Sequence, residues 1–232
     1  TICNIPAYGT PAVAQHTFAL LLELCNQVGH YDRAVKAGRW GESGDFCLWD
    51  RPMAELWGKT MGIVGLGSIG QAVAAIAHGF GMKLLADEQH KKPCAVPVEF
   101  VPREELFARA DVISLHCPLT EGSRQMIRAE RIAGMKPGVL LLNTARGGLL
   151  NEADVARALE TGQLGGLGVD VAATEPIPPD SPLLRAPNCI ITPHVAWVPK
   201  ETRQRLLDFA VENLRCYLAG RPINVIGGPG KL

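Results

Sequence analysis

The chain has 232 residues, 47% of them hydrophobic and 20% charged, an ordinary globular balance with room for one large domain or a domain and part of another. Its 23 basic and 23 acidic residues cancel, which leaves no electrostatic footprint for nucleic acid or for an anionic membrane surface. No apolar run approaches the roughly 18 residues that a membrane span needs, and the longest, FALLLEL from Phe18 to Leu24, is interrupted by Glu23.

Seven cysteines, at positions 3, 25, 47, 94, 117, 189 and 216, are scattered without a C-x-x-C pair, and the six histidines lack ligand spacing. Neither pattern predicts a zinc site. The odd cysteine count, with no signal peptide in view, favours a reducing, cytoplasmic setting. The opening TICNIPAYGTP starts without methionine in what reads as a strand under way, so the chain is expected to be the C-terminal part of a longer protein.

From Thr10 the pattern turns helical. Thr10 reads as the N-cap and Pro11 as the first helical residue, with Val13, Thr17, Leu20, Leu24 and Val28 on one face and Gly38 as the stop. Residues 39–58 read as an irregular stretch carrying three of the four tryptophans, Trp40, Trp49 and Trp57, which suits a loop packed on another surface. Strand-like runs follow at 61–65, 83–87, 112–117, 139–143, 167–171 and 189–192, mostly separated by helical patterns. One helical stripe comprises Ile69, Val73, Ile76 and Phe80; another helix begins at Asn151, with Asp154 completing a capping-box pattern. The five prolines of residues 174–187 require a loop, and a last amphipathic helix spans 201–219 with Leu206, Ala210, Leu214 and Leu218 as its stripe. Near-continuous apolar strands alternating with helices predict an α/β fold: a Rossmann-type, doubly wound parallel sheet covered on both faces.

GIVGLGSIG follows the first of these strands and opens a helix. Gly65 would permit the tight turn, Gly67 the approach of backbone to a pyrophosphate, and Gly70 close helix–strand packing, with the helix amides facing the phosphates. Alone, this pattern also fits an ordinary turn. Asp87 ends the next strand, 22 residues after Gly65, where an acid accepts hydrogen bonds from a ribose and repels the extra phosphate of NADP. The reading is NAD, with NADP left open by the basic neighbours His90, Lys91 and Lys92.

Ligands of parallel sheets bind beyond the carboxyl ends of strands. Arg146, Asp170, Glu175 and His194 all fall there. Each has a plainer explanation: a surface salt bridge, a cap, a solvated loop charge and a satisfied histidine. Their convergence on the rim that carries the glycine loop favours a catalytic constellation.

The ordered set GLGSIG, LHCPLT, LLNTARGGLLNE, GVDVAATEP and TPHVAW resembles the D-isomer-specific 2-hydroxyacid dehydrogenases across essentially the whole chain. Within that family FCLWDRPMAELWGKTMGIVG is most similar to hydroxypyruvate reductases, also called glycerate dehydrogenases. The resemblance implies that Arg146 binds the substrate carboxylate and carbonyl, that His194 is the acid/base and that Glu175 is its carboxylate partner. It places Ser68 and Ile69 at the pyrophosphate, Cys117 and Pro118 beside the adenosine, Thr144 and Ala145 in the nicotinamide pocket, and Asp170 beside the nicotinamide. The implied chemistry is NAD(H)-dependent interconversion of a small 2-keto acid and its D-2-hydroxy acid, with Gly147 and Gly148 leaving room for the substrate anion at Arg146. It also implies that residues 1–9 are the last strand of a substrate domain, 10–198 the dinucleotide-binding domain, and 199–232 a helix and tail returning toward the substrate domain. The 10–37 helix and the tryptophan-bearing stretch would then form a homodimer interface. A dinucleotide-sensing corepressor, or a phosphoglycerate or phosphite dehydrogenase of the same superfamily, are the alternatives.

Overall fold

A computed structural model describes residues 1–226. The chain runs β1 (Ile2–Cys3), α1 (Thr10–Asn26), α2 (Val28–Lys36), α3 (Arg39–Ser43), β2 (Thr60–Val64), α4 (Ser68–Gly79), β3 (Lys83–Asp87), β4 (Glu99–Val101) and α5 (Arg103–Arg109). It continues through β5 (Val112–Leu115), α6 (Ala129–Ala133), β6 (Val139–Asn143), α7 (Glu152–Glu160), β7 (Leu164–Val169), β8 (Cys189–Ile191), α8 (Lys200–Leu218) and β9 (Val225–Ile226). Strands β2 to β8 make one seven-stranded sheet in the order β4-β3-β2-β5-β6-β7-β8, with every pairing parallel. The chain therefore winds outward from β2 in one direction and from β5 in the other. Their carboxyl ends flank the point where the winding reverses.

The sheet is apolar on both faces because helices cover both. In β6, Val139 and Leu141 pack with Leu106, Ile132, Val155 and Leu159 of α5, α6 and α7. Leu140 and Leu142 of the same strand face the cluster that holds Phe18, Leu21, Val73 and Ala77 of α1 and α4. Phe18 stacks on Phe80, with ring centroids 5.4 Å apart, and so joins the two helices of that layer.

Several local expectations change. Gly9, not Thr10, is the N-cap of α1, and the helix does not run to Gly38: Gln27 adopts a left-handed conformation at φ 50° and starts α2 in a new direction. Val28 therefore leaves the buried stripe and is 64% exposed. The edge strand β4 was not anticipated, because three residues between two prolines, Pro97 and Pro102, carry too little periodicity to register. The capping box of α7 is half formed. Asn151 accepts from the Asp154 amide at 3.2 Å, while the Asp154 carboxylate turns to the Ala129 amide at 3.0 Å. In α8 the expected stripe is only half covered, since Leu214 and Leu218 are exposed and the buried positions are Thr202 and Asn213. Residues 1–9 contribute a two-residue strand that pairs antiparallel with β9. Residues 227–232 of the expected C-terminal tail lie outside the described residues.

Candidate active site

A cavity of about 490 Å³ opens at the winding reversal, lined by Gly65, Gly67, Asp87, Gln89, Arg103 and Cys117–Pro118 among others. Gly65 has φ +99°, and a Cβ there would run into the backbone of His116 and Cys117. A Cβ on Gly70 would strike the Gly65 carbonyl, so the first and last glycines of the pattern hold the loop against β5 and the helix against the loop. Gly67 is different. It is the N-cap of α4, no side chain caps that helix, and its own Cβ position faces open space. Ser68 and Ile69, the first residues of α4, thus offer uncapped amides and the positive helix end toward the cavity. An anionic pyrophosphate fits this cradle.

Asp87 is only 5% exposed, and both its oxygens are engaged. One accepts from the Gln89 amide at 2.9 Å and the other from Arg103 Nε at 2.6 Å. The countercharge is therefore Arg103, at the start of α5, while Lys91 lies 4.0 Å from Glu88. Spacing along the chain could not have found Arg103, because the contact forms across the β3–β4 edge. Desolvation pushes the neighbouring His116 imidazole down to about 4, so it stays neutral against Ser114 Oγ at 2.7 Å. Burial pushes the Cys117 thiol up. This end of the cavity is accordingly neutral apart from the Asp87–Arg103 pair and Lys92.

The second cluster stands at the ends of β6, β7 and β8. Buried Asn143 locks the turn that follows it: its side chain donates to the Arg146 carbonyl at 2.9 Å and accepts from the Ala145 amide at 3.0 Å. An asparagine ending an apolar strand was the available signal for this. Arg146 is exposed, donates to the Ala145 carbonyl at 2.6 Å and takes part in no ion pair among the described residues. Gly147 does not clear space for a ligand as expected: a Cβ there would collide with the Ala172 backbone, so it serves close packing, whereas one on Gly148 would meet only the movable end of the Leu119 side chain.

His194 Nδ1 lies 2.7 Å from Glu175 Oε2, and the other carboxylate oxygen accepts from the Ala172 amide at 3.1 Å. Partial burial raises the Glu175 carboxyl, but these two hydrogen bonds outweigh it and hold the group below its ordinary range. With Nδ1 bonded to Glu175, the imidazole has Nε2 left to carry or release a proton. His194 sits at φ +57°, a strained backbone for a non-glycine residue. The loop is held by Asp170, 1% exposed, which accepts from the Thr192 hydroxyl at 2.6 Å and from the Val195 and Ala196 amides at 2.9 and 2.8 Å. Burial works against the Asp170 charge, yet the His16 imidazole 3.5 Å away and the hydrogen bonds from Thr192 and the two amides keep its carboxyl below the usual range. Asp170, Glu175 and His194 border a second cavity of about 630 Å³, whereas Thr144, Ala145 and Arg146 border neither. The arrangement offers an exposed guanidinium for an anion and an imidazole backed by a carboxylate for proton transfer.

The chain is similar to known proteins over nearly its whole length. The profile of the D-isomer specific 2-hydroxyacid dehydrogenase NAD binding domain matches residues 18–196. A hydroxypyruvate reductase of Blautia hydrogenotrophica is 49% identical over 227 residues, covering 97% of this chain and 70% of the relative. A glycerate dehydrogenase of Methylorubrum extorquens is 40% identical over 229 residues, covering 97% and 71%. The crystal structure of a glyoxylate reductase from Paecilomyes thermophila superposes with a TM-score of 0.85 at 32% identity, covering 96% of this chain and 66% of that one.

Proposed function

The chain belongs to the D-isomer-specific 2-hydroxyacid dehydrogenases, NAD-dependent oxidoreductases, and from that premise we propose that it reduces a small 2-keto acid of the hydroxypyruvate or glyoxylate type. The observation that carries the reading is the 2.7 Å contact of His194 with Glu175, on the same rim as the exposed Arg146. Gly65, Gly67, Ser68, Ile69 and Gly70 would hold the pyrophosphate of the dinucleotide, Asp87 its adenosine ribose, and Cys117 and Pro118 its adenosine. Thr144, Ala145 and Asp170 would border the nicotinamide. NADH, when bound, supplies the hydride.

The chain's own residues do the rest. Arg146 grips the substrate carboxylate through its planar fork, and its charge polarises the adjacent carbonyl. His194 gives the proton from Nε2 to the carbonyl oxygen as it gains negative charge. Glu175 holds the ring by Nδ1 and so keeps Nε2 turned to the substrate.

Residues 10–198 form the dinucleotide-binding domain in this reading, and residues 1–9 group with the C-terminal segment toward a substrate domain. Three contacts support that grouping: β1 pairs with β9, Asn213 donates to the Asn4 carbonyl at 2.8 Å, and Arg205 donates to the Tyr8 carbonyl at 3.1 Å. Exposed Phe46, Trp49 and Trp57 support a homodimer whose interface includes residues 39–58. Seven free thiols are compatible with a cytoplasmic setting. No helix among the described residues is long and apolar enough to cross a membrane.

Steady-state assays with NADH and hydroxypyruvate, glyoxylate or pyruvate, and with NAD+ and phosphite, test the proposal. The highest kcat/KM is expected for hydroxypyruvate or glyoxylate. Preference for phosphite, or no keto-acid turnover by protein that binds NADH, would overturn it.

A further inference from the structure

Helix α1 presents two consecutive polar residues, His16 and Thr17, beneath the strand ends that carry Arg146 and His194. Apolar packing of the helix is supplied by Ala14, Phe18, Leu21 and Leu24, yet Thr17 is fully buried. The bonds of these two residues have a defined direction. Asp170 can only accept, so the Thr192 hydroxyl donates to it at 2.6 Å; the Thr192 oxygen is then left to accept from His16 Nε2 at 2.9 Å. The Thr17 hydroxyl donates to the Val13 carbonyl at 2.8 Å, so its oxygen accepts from the Thr144 hydroxyl at 3.0 Å.

The far ends of these bonds matter. Thr144 opens the turn to Arg146, and Thr192 precedes His194 by two residues in a loop that Asp170 clasps again at Val195 and Ala196. These turns follow β6 and β8, which β7 separates, so no ladder hydrogen bond joins them directly. Two strand spacings of about 4.8 Å leave them on the order of 10 Å apart at their roots. Helix α1 bridges that gap.

We infer that His16 and Thr17 are positioning residues: a two-pronged brace from α1 that sets the spacing between the Arg146 turn and the His194 loop. The inference rests on the roles proposed above for Arg146 and His194. The Arg146 guanidinium bonds only its own neighbour's carbonyl among the described residues, and His194 sits in a strained conformation beside Glu175, so the spacing of the two groups depends on the turns that carry them. A displacement of about 1 Å between groups that act on one substrate costs on the order of a hundredfold in rate.

The test uses two disruptive variants, Thr17→Val and His16→Leu, and two conservative ones, Thr17→Ser and His16→Gln, which retain an acceptor oxygen and an N–H donor. Thr17→Val should act through Thr144 on the Arg146 turn and raise the keto-acid KM about fivefold or more. His16→Leu should act on the His194 loop and lower kcat about tenfold or more. The conservative variants should stay within about threefold of the parent in kcat, KM and NADH affinity. Hydrogen exchange at the Val195 and Ala196 amides, followed by NMR without substrate, should be faster in His16→Leu and near the parent rate in His16→Gln. Unchanged exchange in His16→Leu would overturn the brace. So would equal damage from conservative and disruptive variants, or kcat and KM within about twofold throughout. If the parent protein turns over no keto acid, the proposed function fails, and the exchange measurement still decides whether the brace exists.

Discussion

Asp87 divides its two oxygens between the Gln89 amide and Arg103, at the edge of the cavity where an adenosine ribose would lie. Its charge should still disfavour a 2′-phosphate, although Arg103 and Lys92 soften the repulsion. NADH is expected to bind more tightly than NADPH in fluorescence titrations. Asp87→Ala should lose about tenfold in NADH affinity, the equivalent of about 1.4 kcal/mol, and narrow the gap. Equal affinities in the parent protein would mean that Arg103 and Lys92 fully compensate the carboxylate. At Glu175 the charge is held on by His194 and the Ala172 amide despite partial burial. In the proposed mechanism Glu175 holds the His194 ring by Nδ1, 2.7 Å away, with Nε2 left to meet the carbonyl oxygen. Glu175→Gln should loosen that hold and lower kcat for keto-acid reduction about tenfold or more, while NADH affinity stays near the parent's. A kcat within about twofold of the parent would remove Glu175 from this role.

Among the elements, Asp111 ties together the starts of three strands. It accepts at 2.8 Å from the amide of Thr60, the first residue of β2, and at 2.8 Å from Nζ of Lys136, just ahead of β6, while standing at the foot of β5. Burial alone would raise its carboxyl, but Lys136 and the Thr60 amide bring it below the ordinary value. A carboxyl lowered by folding stabilises above its unfolded pKa of about 3.9, and that stabilisation disappears as pH falls through the folded value. Asp111→Ala should therefore destabilise the chain at pH 7 by about 1–3 kcal/mol, a fall in Tm of roughly 2–10 °C. The difference from the parent should shrink in the acid range below about pH 4, where the parent's carboxylate protonates too. A Tm difference independent of pH would show that the charge contributes nothing and that the loss is one of packing.

For the whole molecule, the unresolved economy is the aromatic surface of residues 39–58. Phe46 is 87% exposed, Trp49 76% and Trp57 75%, and exposed apolar area of this kind favours association. If the homodimer forms through it, light scattering should report a dimer at micromolar concentration. Trp49→Ala should weaken association by about 2 kcal/mol, some thirtyfold in Kd, since tryptophans at interface centres carry much of the binding energy. A parent protein that stays monomeric at that concentration would remove residues 39–58 from any self-association interface.

The sequence by itself determined the elements whose signals are local. Apolar runs long enough to be covered on both faces marked β3 and β6 to the residue, and the glycine spacing marked the turn into α4 because Gly65 and Gly70 have no space for a Cβ. Glu175 and His194 were legible as a pair through the resemblance of their motifs, and the structure brings them to 2.7 Å. What only the tertiary structure decided were partnerships between residues far apart in the chain. Arg103 reaches Asp87 across the sheet edge, and His16 reaches Thr192 across 176 positions. The break at Gln27 and the half-bare face of α8 belong here as well, since periodicity identifies an amphipathic stripe but not what covers it. Hydrophobic period and turn chemistry act over a few residues and can be read from the chain in order. Hydrogen-bond partners are chosen by the folded backbone, which must satisfy each buried polar group with whatever donor or acceptor packing brings within reach.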